Sequence, residues 1–331
     1  MDVDAFIASH SGQWHRLEWL SRRRRLSAVE ADELVDLYRQ VATQLSLVQS
    51  RTPDPVLAAR LSGLLARGRA AAVRGGRTSG WAALGHGITV TFPTAVYRTW
   101  RWSVGMAAVN LAVAAAMMLW LQHHPERLTR LLSSADVRSL VNHQFSDYYS
   151  EHPARAFAAH VWTNNAVVAA VALFLGVTLV GTLYVMWQNT LNLGVVGGAM
   201  LGAGKANVFF GLILPHGMLE LTAVFTAAGI GLRTGWAWVA PGDLPRGRAL
   251  AEAGRTAAVA ALGLAGVLLV SGVLEAFVTP SGLPTAARIA IGALAEIAFL
   301  SYVIVLGRRG VQAGATGDLA ADEREDVLPV A

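Results

Sequence analysis

A histidine and a glutamate lie four residues apart in a segment that is otherwise almost entirely apolar. The stretch ILPHGMLELTAVF (213–225) contains His216 and Glu220. Side chains four residues apart in a helix are neighbours on one face, so the spacing brings an imidazole and a carboxylate together. An ionisable side chain inside a membrane costs about 2.5–3.5 kcal/mol on insertion scales, and such groups are therefore expected to be paired or functional.

Other polar residues interrupt the apolar segments around this pair. We expect Glu275 near the outer end of the predicted membrane span 256–277, at the depth of His216 and Glu220, and the remaining candidates open the predicted span 164–187 or lie deeper. These remaining candidates are Asn164, Asn165, Lys205, which is the only lysine, and Glu296. Two interpretations stay open for the whole set: a buried hydrogen-bonded network that holds the bundle together, or a pathway or ligand site.

A metal or catalytic centre is the third interpretation. The His-x-x-x-Glu spacing supplies two ligands from one helix face, and Glu275 could be a third, so His216, Glu220 and Glu275 are candidate metal ligands. A zinc hydrolase would use a second histidine, and the apolar segments contain none besides His216. We therefore predict no catalytic residue and no cofactor.

The composition indicates an all-α polytopic membrane protein. Hydrophobic residues make up 54% and charged residues 15% of the 331 residues, against about 25% charged in soluble domains. The excess lies in long runs beyond residue 103. Because the chain has no cysteine, disulfides, thiol catalysis and thiolate metal sites are excluded. The N-terminus shows no signal-peptide pattern, so we expect the first span to act as an uncleaved insertion signal.

Six apolar segments are long enough to cross a bilayer, because about 20 helical residues span its hydrocarbon core. They are 103–121, 164–187, 193–213, 216–234, 256–277 and 287–306. Only the corner Leu214–Pro215 separates the third from the fourth. We expect a tight hairpin there, or a broken helix that re-enters from one side.

Arginine placement predicts the orientation. The region before the first span is rich in arginine, and with six spans the other flanking arginines fall on the same side. They are Arg233, Arg246, Arg248, Arg255, Arg308 and Arg309. Positive residues stay inside, so both termini are expected in the cytoplasm and residues 122–163 outside the inner (plasma) membrane. We interpret the net charge of +5 and the run Arg22–Arg25 as basic residues retained in the cytoplasm, which touch anionic lipid at most, and we expect no nucleic-acid partner.

Four further segments complete the predicted organisation. Residues 1–80 show apolar positions at three- and four-residue spacing and predict a cytoplasmic helical domain, in which Ser27 and Glu30 have capping-box spacing. Residues 81–102 are aromatic and basic and predict an interfacial segment. Within the external loop, 136–149 is amphipathic and predicts a surface helix. The tail, 307–331, is expected to be disordered.

Small residues recur every four positions in the third span, at Gly194, Gly198 and Gly202. This spacing lets two helix backbones approach closely. The facing helix could belong to this chain or to a second copy, and we expect a homodimer.

Five stretches carry a resemblance to a known family. They are FPTAVYR (92–98), TNNAVVA (163–169), NTLNLG (189–194), LPHGMLELTAV (214–224) and EAFVTP (275–280). On these residues the chain resembles the stage II sporulation protein M family of bacterial integral membrane proteins. The resemblance implies a multi-pass bundle with cytoplasmic termini. It also implies a scaffold that assembles with peptidoglycan-remodelling enzymes in endospore formers, with relatives found beside a MoxR-type ATPase.

Three functions are consistent with this sequence. The first is a non-enzymatic membrane scaffold or subunit of a cell-envelope complex. The alternatives are a transporter or channel-like component with an outer-leaflet polar site, and an intramembrane metal-dependent hydrolase.

Overall fold

The computed structural model describes residues 3–23, 26–51, 54–75, 80–131, 139, 141 and 154–318, and these residues form helices and turns with no strand among them. The chain divides into two compact units, one within Met1–Gly85 and one within His86–Leu319. The predicted surface helix over 136–149 lies outside the described residues apart from 139 and 141, as do the tail residues 319–331.

The first unit packs three helices around one apolar core. They are α1 (Val3–Arg22), α2 (Ala28–Arg51) and α3 (Pro55–Gly75). Trp14 is buried at the centre, and its Nε1 donates to Gln44 Oε1 at 2.7 Å, so the indole is not left unsatisfied. At the start of α2, Ser27 and Glu30 exchange backbone and side-chain hydrogen bonds, which is the capping box that their spacing predicts.

The stretch before the first span begins with α4 (Gly80–His86), continues through a π-turn (Gly87–Thr91) and ends in α5 (Phe92–Arg98). Within the segment 81–102, for which an interfacial position stays a prediction, residues 91–96 are buried. Close packing explains the burial: a Cβ at Gly263 would lie 2.2 Å from the Phe92 ring. Because Gly263 has no Cβ, the Phe92 ring of α5 can pack directly against the backbone at Gly263.

The second unit is a helix bundle. Its helices are α6 (Trp100–His123), the short α7 (Pro125–Leu131), α8 (Ala154–Phe174), α9 (Val180–Gly202), α10 (Ala206–Val239), α11 (Arg246–Val273) and α12 (Thr285–Gln312). Five of the described helices are long and apolar enough to span a membrane: α6, α8, α10, α11 and α12. The prediction of an all-α membrane helix bundle is confirmed.

The sixth long helix, α9, is not among these five. It carries three amide side chains within five residues, at Gln188, Asn189 and Asn192. Those amides lower its hydropathy below that of its neighbours, which accounts for the difference between the expected six spans and the five candidates.

The predicted second span, 164–187, contains a break that its apolar sequence did not indicate. A 3₁₀ turn (Leu175–Thr178) follows α8, and Leu179 then takes a positive φ of 58° before α9 begins. The turn packs closely on α10, because a Cβ at Gly235 would lie 2.1 Å from the carbonyl oxygen of Gly176. The chain therefore changes direction at a point where Gly235 of α10, which has no Cβ, leaves room for the turn.

The expectation of a hairpin or re-entrant break at Leu214–Pro215 is wrong. Helix α10 runs continuously through Pro215. A proline is tolerated within a membrane helix when neighbouring groups satisfy the backbone atoms that it leaves without hydrogen bonds. One such neighbour is very close: a Cβ at Gly292 of α12 would lie 2.1 Å from Pro215 O. The break lies before α10, where Gly204 adopts φ +71° and Lys205 N donates to Met200 O at 2.9 Å.

The expected disordered tail, 307–331, is also wrong for its described part. Helix α12 extends to Gln312, and the chain then folds back through residues 313–318. The turn is held by Asp318, which pairs with Arg255 of α11. Arg98 Nη1 also donates to Ala315 O at 3.4 Å, and a composition rich in glycine and alanine does not reveal either contact.

Candidate functional site

His216 lies on α10 with only 5% of its surface exposed. Its Nδ1 is 3.1 Å from Thr279 Oγ1, so a hydrogen bond fixes the ring orientation. The opposite ring nitrogen, Nε2, is directed at Glu275 and lies 3.9 Å from Oε2. This distance is longer than a direct hydrogen bond between nitrogen and oxygen.

Glu275 projects from a π-helical turn, Leu274–Val278, which continues α11. Thr279 N donates to Leu274 O at 3.0 Å and closes the widened turn. Such π-turns occur frequently at functional sites, because the extra residue redirects side chains. Here the turn places both Glu275 and Thr279 against α10, and the Glu275 side chain is buried.

Glu220 completes the cluster from one helical turn beyond His216. One ligand atom from each of His216, Glu220 and Glu275 lies within 4.8 Å of the other two. Glu220 Oε2 is buried and has no hydrogen-bond partner. Ser271 Oγ donates to His216 O at 3.1 Å and also lies beside the Glu220 carboxyl. We call these three ligand-bearing residues the His–Glu–Glu cluster.

The cluster joins two helices through groups that can bind a cation or share a proton. Its donors are one imidazole nitrogen and two carboxylates, and its hydroxyl neighbours, Ser271 and Thr279, hold the surrounding backbone and ring in place. The residues that the sequence singled out at positions 216, 220 and 275 are therefore close together.

Neither Asn164 nor Asn165 makes a hydrogen bond to this cluster. Helix α8 begins at Ala154, ten residues before the expected start of the span, so Asn164 and Asn165 lie in mid-helix. Asn164 is exposed, and its Nδ2 donates to Asn165 Oδ1 at 3.4 Å.

Lys205 and Glu296 occupy two further places. Lys205 lies in the turn before α10, instead of deep in a span, and its Nζ donates to Val141 O at 2.9 Å. Glu296 of α12 accepts a hydrogen bond from Thr222 Oγ1 at 2.8 Å. Thr222 is two residues beyond Glu220, about 200° around the helix, so this contact is separate from the His–Glu–Glu cluster.

Ser271 and Thr279 are neighbours of the cluster that the sequence analysis does not single out. Both are four residues from Glu275, one before it and one after it. The same i, i+4 rule that paired His216 with Glu220 would have found them.

The glycine stripe contacts α6 of the same chain. A Cβ at Gly194 would lie 2.9 Å from Met117 Cβ, and a Cβ at Gly198 would lie 2.7 Å from Leu121 Cβ. At Gly202 the space is wider, with Gln122 Cα at 3.7 Å. The sequence left open whether the helix that faces the stripe belongs to this chain or to a second copy. In the structure it is α6 of this chain.

Comparison with known families gives two matches. A family model described as Stage II sporulation protein M matches residues 106–280, more than half of the chain. This range contains the entire His–Glu–Glu cluster. A second model, described as a domain of unknown function (DUF8413), matches residues 4–74, the range of α1 to α3. No curated protein and no solved structure matches the chain.

Proposed function

The chain belongs to the stage II sporulation protein M family, and from this premise we propose that it is a non-enzymatic membrane subunit of a cell-envelope complex. In this proposal the helix bundle anchors the protein in the inner membrane, with both termini in the cytoplasm. The N-terminal unit docks a soluble partner. Peptidoglycan-remodelling proteins and a MoxR-type ATPase are the partner classes that we propose.

The observation that carries the proposal is the separate N-terminal unit. Helices α1 to α3 have their own core of buried residues, centred on Trp14, Leu17, Leu34 and Leu61. The unit also has its own family match, distinct from that of the bundle. A self-contained helical unit attached to a membrane bundle suits a role in binding other proteins.

The surface of α1 offers a specific docking point. Trp19 is 44% exposed, and the guanidinium groups of Arg16 and Arg23 each lie 4.5 Å from its ring centroid. Both arginines are held by carboxylates, Arg16 by Glu33 and Arg23 by Glu30. Tryptophan and arginine are enriched among residues that dominate binding energy, and a preformed arrangement loses less entropy on binding.

The buried cluster favours a non-enzymatic role. One ligand atom from each of His216, Glu220 and Glu275 lies within 4.8 Å of the other two, and hydroxyls of neighbouring residues bond His216 between packed helices. A structural or ion-binding task suits this enclosed arrangement better than repeated turnover of a substrate. We further propose contact with membrane lipid through the exposed apolar faces of the bundle. A homodimer would use a surface other than the glycine stripe, which already faces α6.

Affinity capture from cross-linked native envelopes tests the docking role. We expect a discrete set of envelope proteins to be recovered with the full-length chain. Trp19→Ala should reduce their recovery strongly, because a hot-spot residue contributes about 2 kcal/mol or more, equivalent to roughly 30-fold in affinity. Val56→Ala is the matched control, since Val56 is exposed on α3 and lies outside this surface.

Two results would contradict the proposal. One is recovery of the chain always alone, together with normal envelope assembly in a deletion strain. The other is equal recovery of partners with wild type, Trp19→Ala and Val56→Ala, which would remove the N-terminal unit as the docking part.

A further inference from the structure

We propose that His216, Glu220 and Glu275 bind one divalent transition-metal ion of the zinc class, which fastens α10 to the π-turn at the end of α11. This inference does not depend on the docking role of the N-terminal unit.

The geometry of the donor atoms supports a shared ion. In a tetrahedral zinc site with bonds of about 2.0–2.2 Å, ligand atoms lie roughly 3.4 Å apart. The donors of His216, Glu220 and Glu275 all lie within 4.8 Å of one another, and His216 Nε2 is 3.9 Å from Glu275 Oε2. The donors would have to move closer together to close such a shell, whereas the imidazole and the Glu275 carboxylate are too far apart to form a direct hydrogen bond.

An unsatisfied oxygen provides the independent observation. Glu220 Oε2 is buried within the bundle and has no hydrogen-bond partner. A buried carboxylate oxygen without a partner is costly, because nothing replaces the water that it lost. The oxygen belongs to a residue whose carboxylate already contributes to the cluster, so a bound cation supplies the missing partner.

Charge and donor type select the class of ion. Two carboxylates carry a charge of −2, and one divalent cation neutralises both. This matters inside a membrane, where an isolated charge has a high free energy. A mixed set of one imidazole nitrogen and carboxylate oxygens suits zinc and neighbouring divalent transition metals better than calcium, which prefers oxygen ligands alone.

The surroundings orient the ring as a metal site requires. A metal-ligating histidine usually engages a second group with its other ring nitrogen. Thr279 Oγ1 contacts His216 Nδ1 at 3.1 Å, which leaves Nε2 directed toward Glu275. Thr279 therefore acts as a positioning residue, and it directly follows the π-turn that carries Glu275.

Zinc titration of the untagged full-length chain, stripped with a chelator in detergent micelles, tests the proposal. We expect one zinc ion per chain in competition with a chromogenic zinc indicator, and a rise in the melting temperature with added zinc. Glu220→Gln and Glu275→Gln should each lower the affinity by at least about tenfold. Thr279→Val should lower it by about 10–100-fold while the one-to-one stoichiometry remains.

Glu296→Gln is the matched control. Glu296 is a bundle carboxylate that also has a buried oxygen without a hydrogen-bond partner, yet it contacts Thr222 and not the cluster. This variant should bind zinc as the wild type does. Melting curves recorded without zinc establish that each variant is folded before its affinity is compared.

X-ray absorption at the zinc edge of the wild-type complex requires no variant. We expect a shell with one imidazole and oxygen ligands. Absence of stoichiometric zinc binding by the folded wild type would overturn the proposal. It would also be overturned by equal binding in Glu220→Gln and Glu275→Gln, or by a shell with several imidazoles, since these results would place the ion on surface histidines such as His123 and His124.

Discussion

Arg255 and Asp318 form a bidentate ion pair that ties α11 to the chain beyond α12. Arg255 Nε lies 2.9 Å from Asp318 Oδ1, and Nη2 lies 3.0 Å from Oδ2. The Asp318 side chain is only 5% exposed. A paired fork of this kind is among the stronger ionic contacts, because two parallel hydrogen bonds fix its geometry.

Asp318→Ala should destabilise the bundle by about 3 kcal/mol, because it leaves the partly buried guanidinium of Arg255 without its carboxylate. Thermal unfolding in detergent micelles measures the effect. Arg248→Ala is the control: its pair with Glu252 is 70% and 36% exposed, so its loss should cost at most about 1 kcal/mol. Equal melting temperatures for Asp318→Ala and Arg248→Ala would show that the ion pair between Arg255 and Asp318 contributes no stability.

Gly198→Leu should lower stability by about 1–3 kcal/mol through overpacking, because even a Cβ there would lie 2.7 Å from Leu121 Cβ. The oligomeric state should not change, since the stripe faces α6 of the same chain. Gly105→Leu is the matched control, because nothing lies within 4 Å of a Cβ at that position. Sedimentation and thermal unfolding together check both parts. Loss of a dimer with unchanged monomer stability would be the contrary result.

Thr190→Val should cost about 0.6–1.7 kcal/mol, the average and the maximum for hydrogen bonds between membrane helices. Its hydroxyl donates to Asn110 Oδ1 of α6, and both side chains are buried. Thr163→Val should have a smaller effect, because that exposed hydroxyl donates to Ala159 O of its own helix. The unfolding free energies of the two variants measure the difference. Equal values would mean that the hydrogen bond between α6 and α9 contributes no extra stability.

The N-terminal unit should lose stability on acidification. The hydrogen bond from Arg16 lowers the pKa of Glu33 below its ordinary value. A lowered pKa in the folded state adds stability that is present above the ordinary glutamate pKa and is lost as the pH falls through the folded pKa. Amide hydrogen exchange of α1 and α2 in the full-length chain, followed from neutral to acidic pH, measures it.

Two variants test the cause of that pH dependence. Glu33→Gln removes the titrating group and Arg16→Ala removes its hydrogen-bond donor, so each should flatten the acid-dependent increase in exchange. An unchanged pH profile in both variants would assign the dependence to other carboxylates, such as Glu30, whose pKa is lowered mainly by hydrogen bonds from Ser27.

Hydrophobic periodicity was enough to predict the helical class, because burial of apolar faces dominates both units. It failed at the breaks. Pro215 was expected to interrupt a helix, yet α10 passes through it. The true interruptions occur at Leu179 and Gly204, where the path of the chain depends on packing against other helices. Contacts distant in sequence, such as that of Gly176 with Gly235, decide these positions, and local patterns do not encode them.

The core of the candidate site was accessible from spacing alone. His216 and Glu220 are four residues apart on one helix, and in this bundle the packing of α10 against α11 and its π-turn brings Glu275 within 3.9 Å of His216. The asparagines illustrate the limit of this reasoning. Their depth was deduced from a span boundary, and the helix begins ten residues earlier than that boundary. Predicting the depth of a residue in the membrane therefore requires the correct helix ends, and the local sequence does not give them.

Lys205, in the turn between α9 and α10, makes this chain a convenient substrate for selective labelling. It is the only lysine, and the chain has no cysteine. An amine-reactive fluorophore would therefore mark this turn, besides the chain's α-amino end. A single introduced thiol could take a second dye without background, so that energy transfer reports distances from the turn to any chosen position in the intact protein.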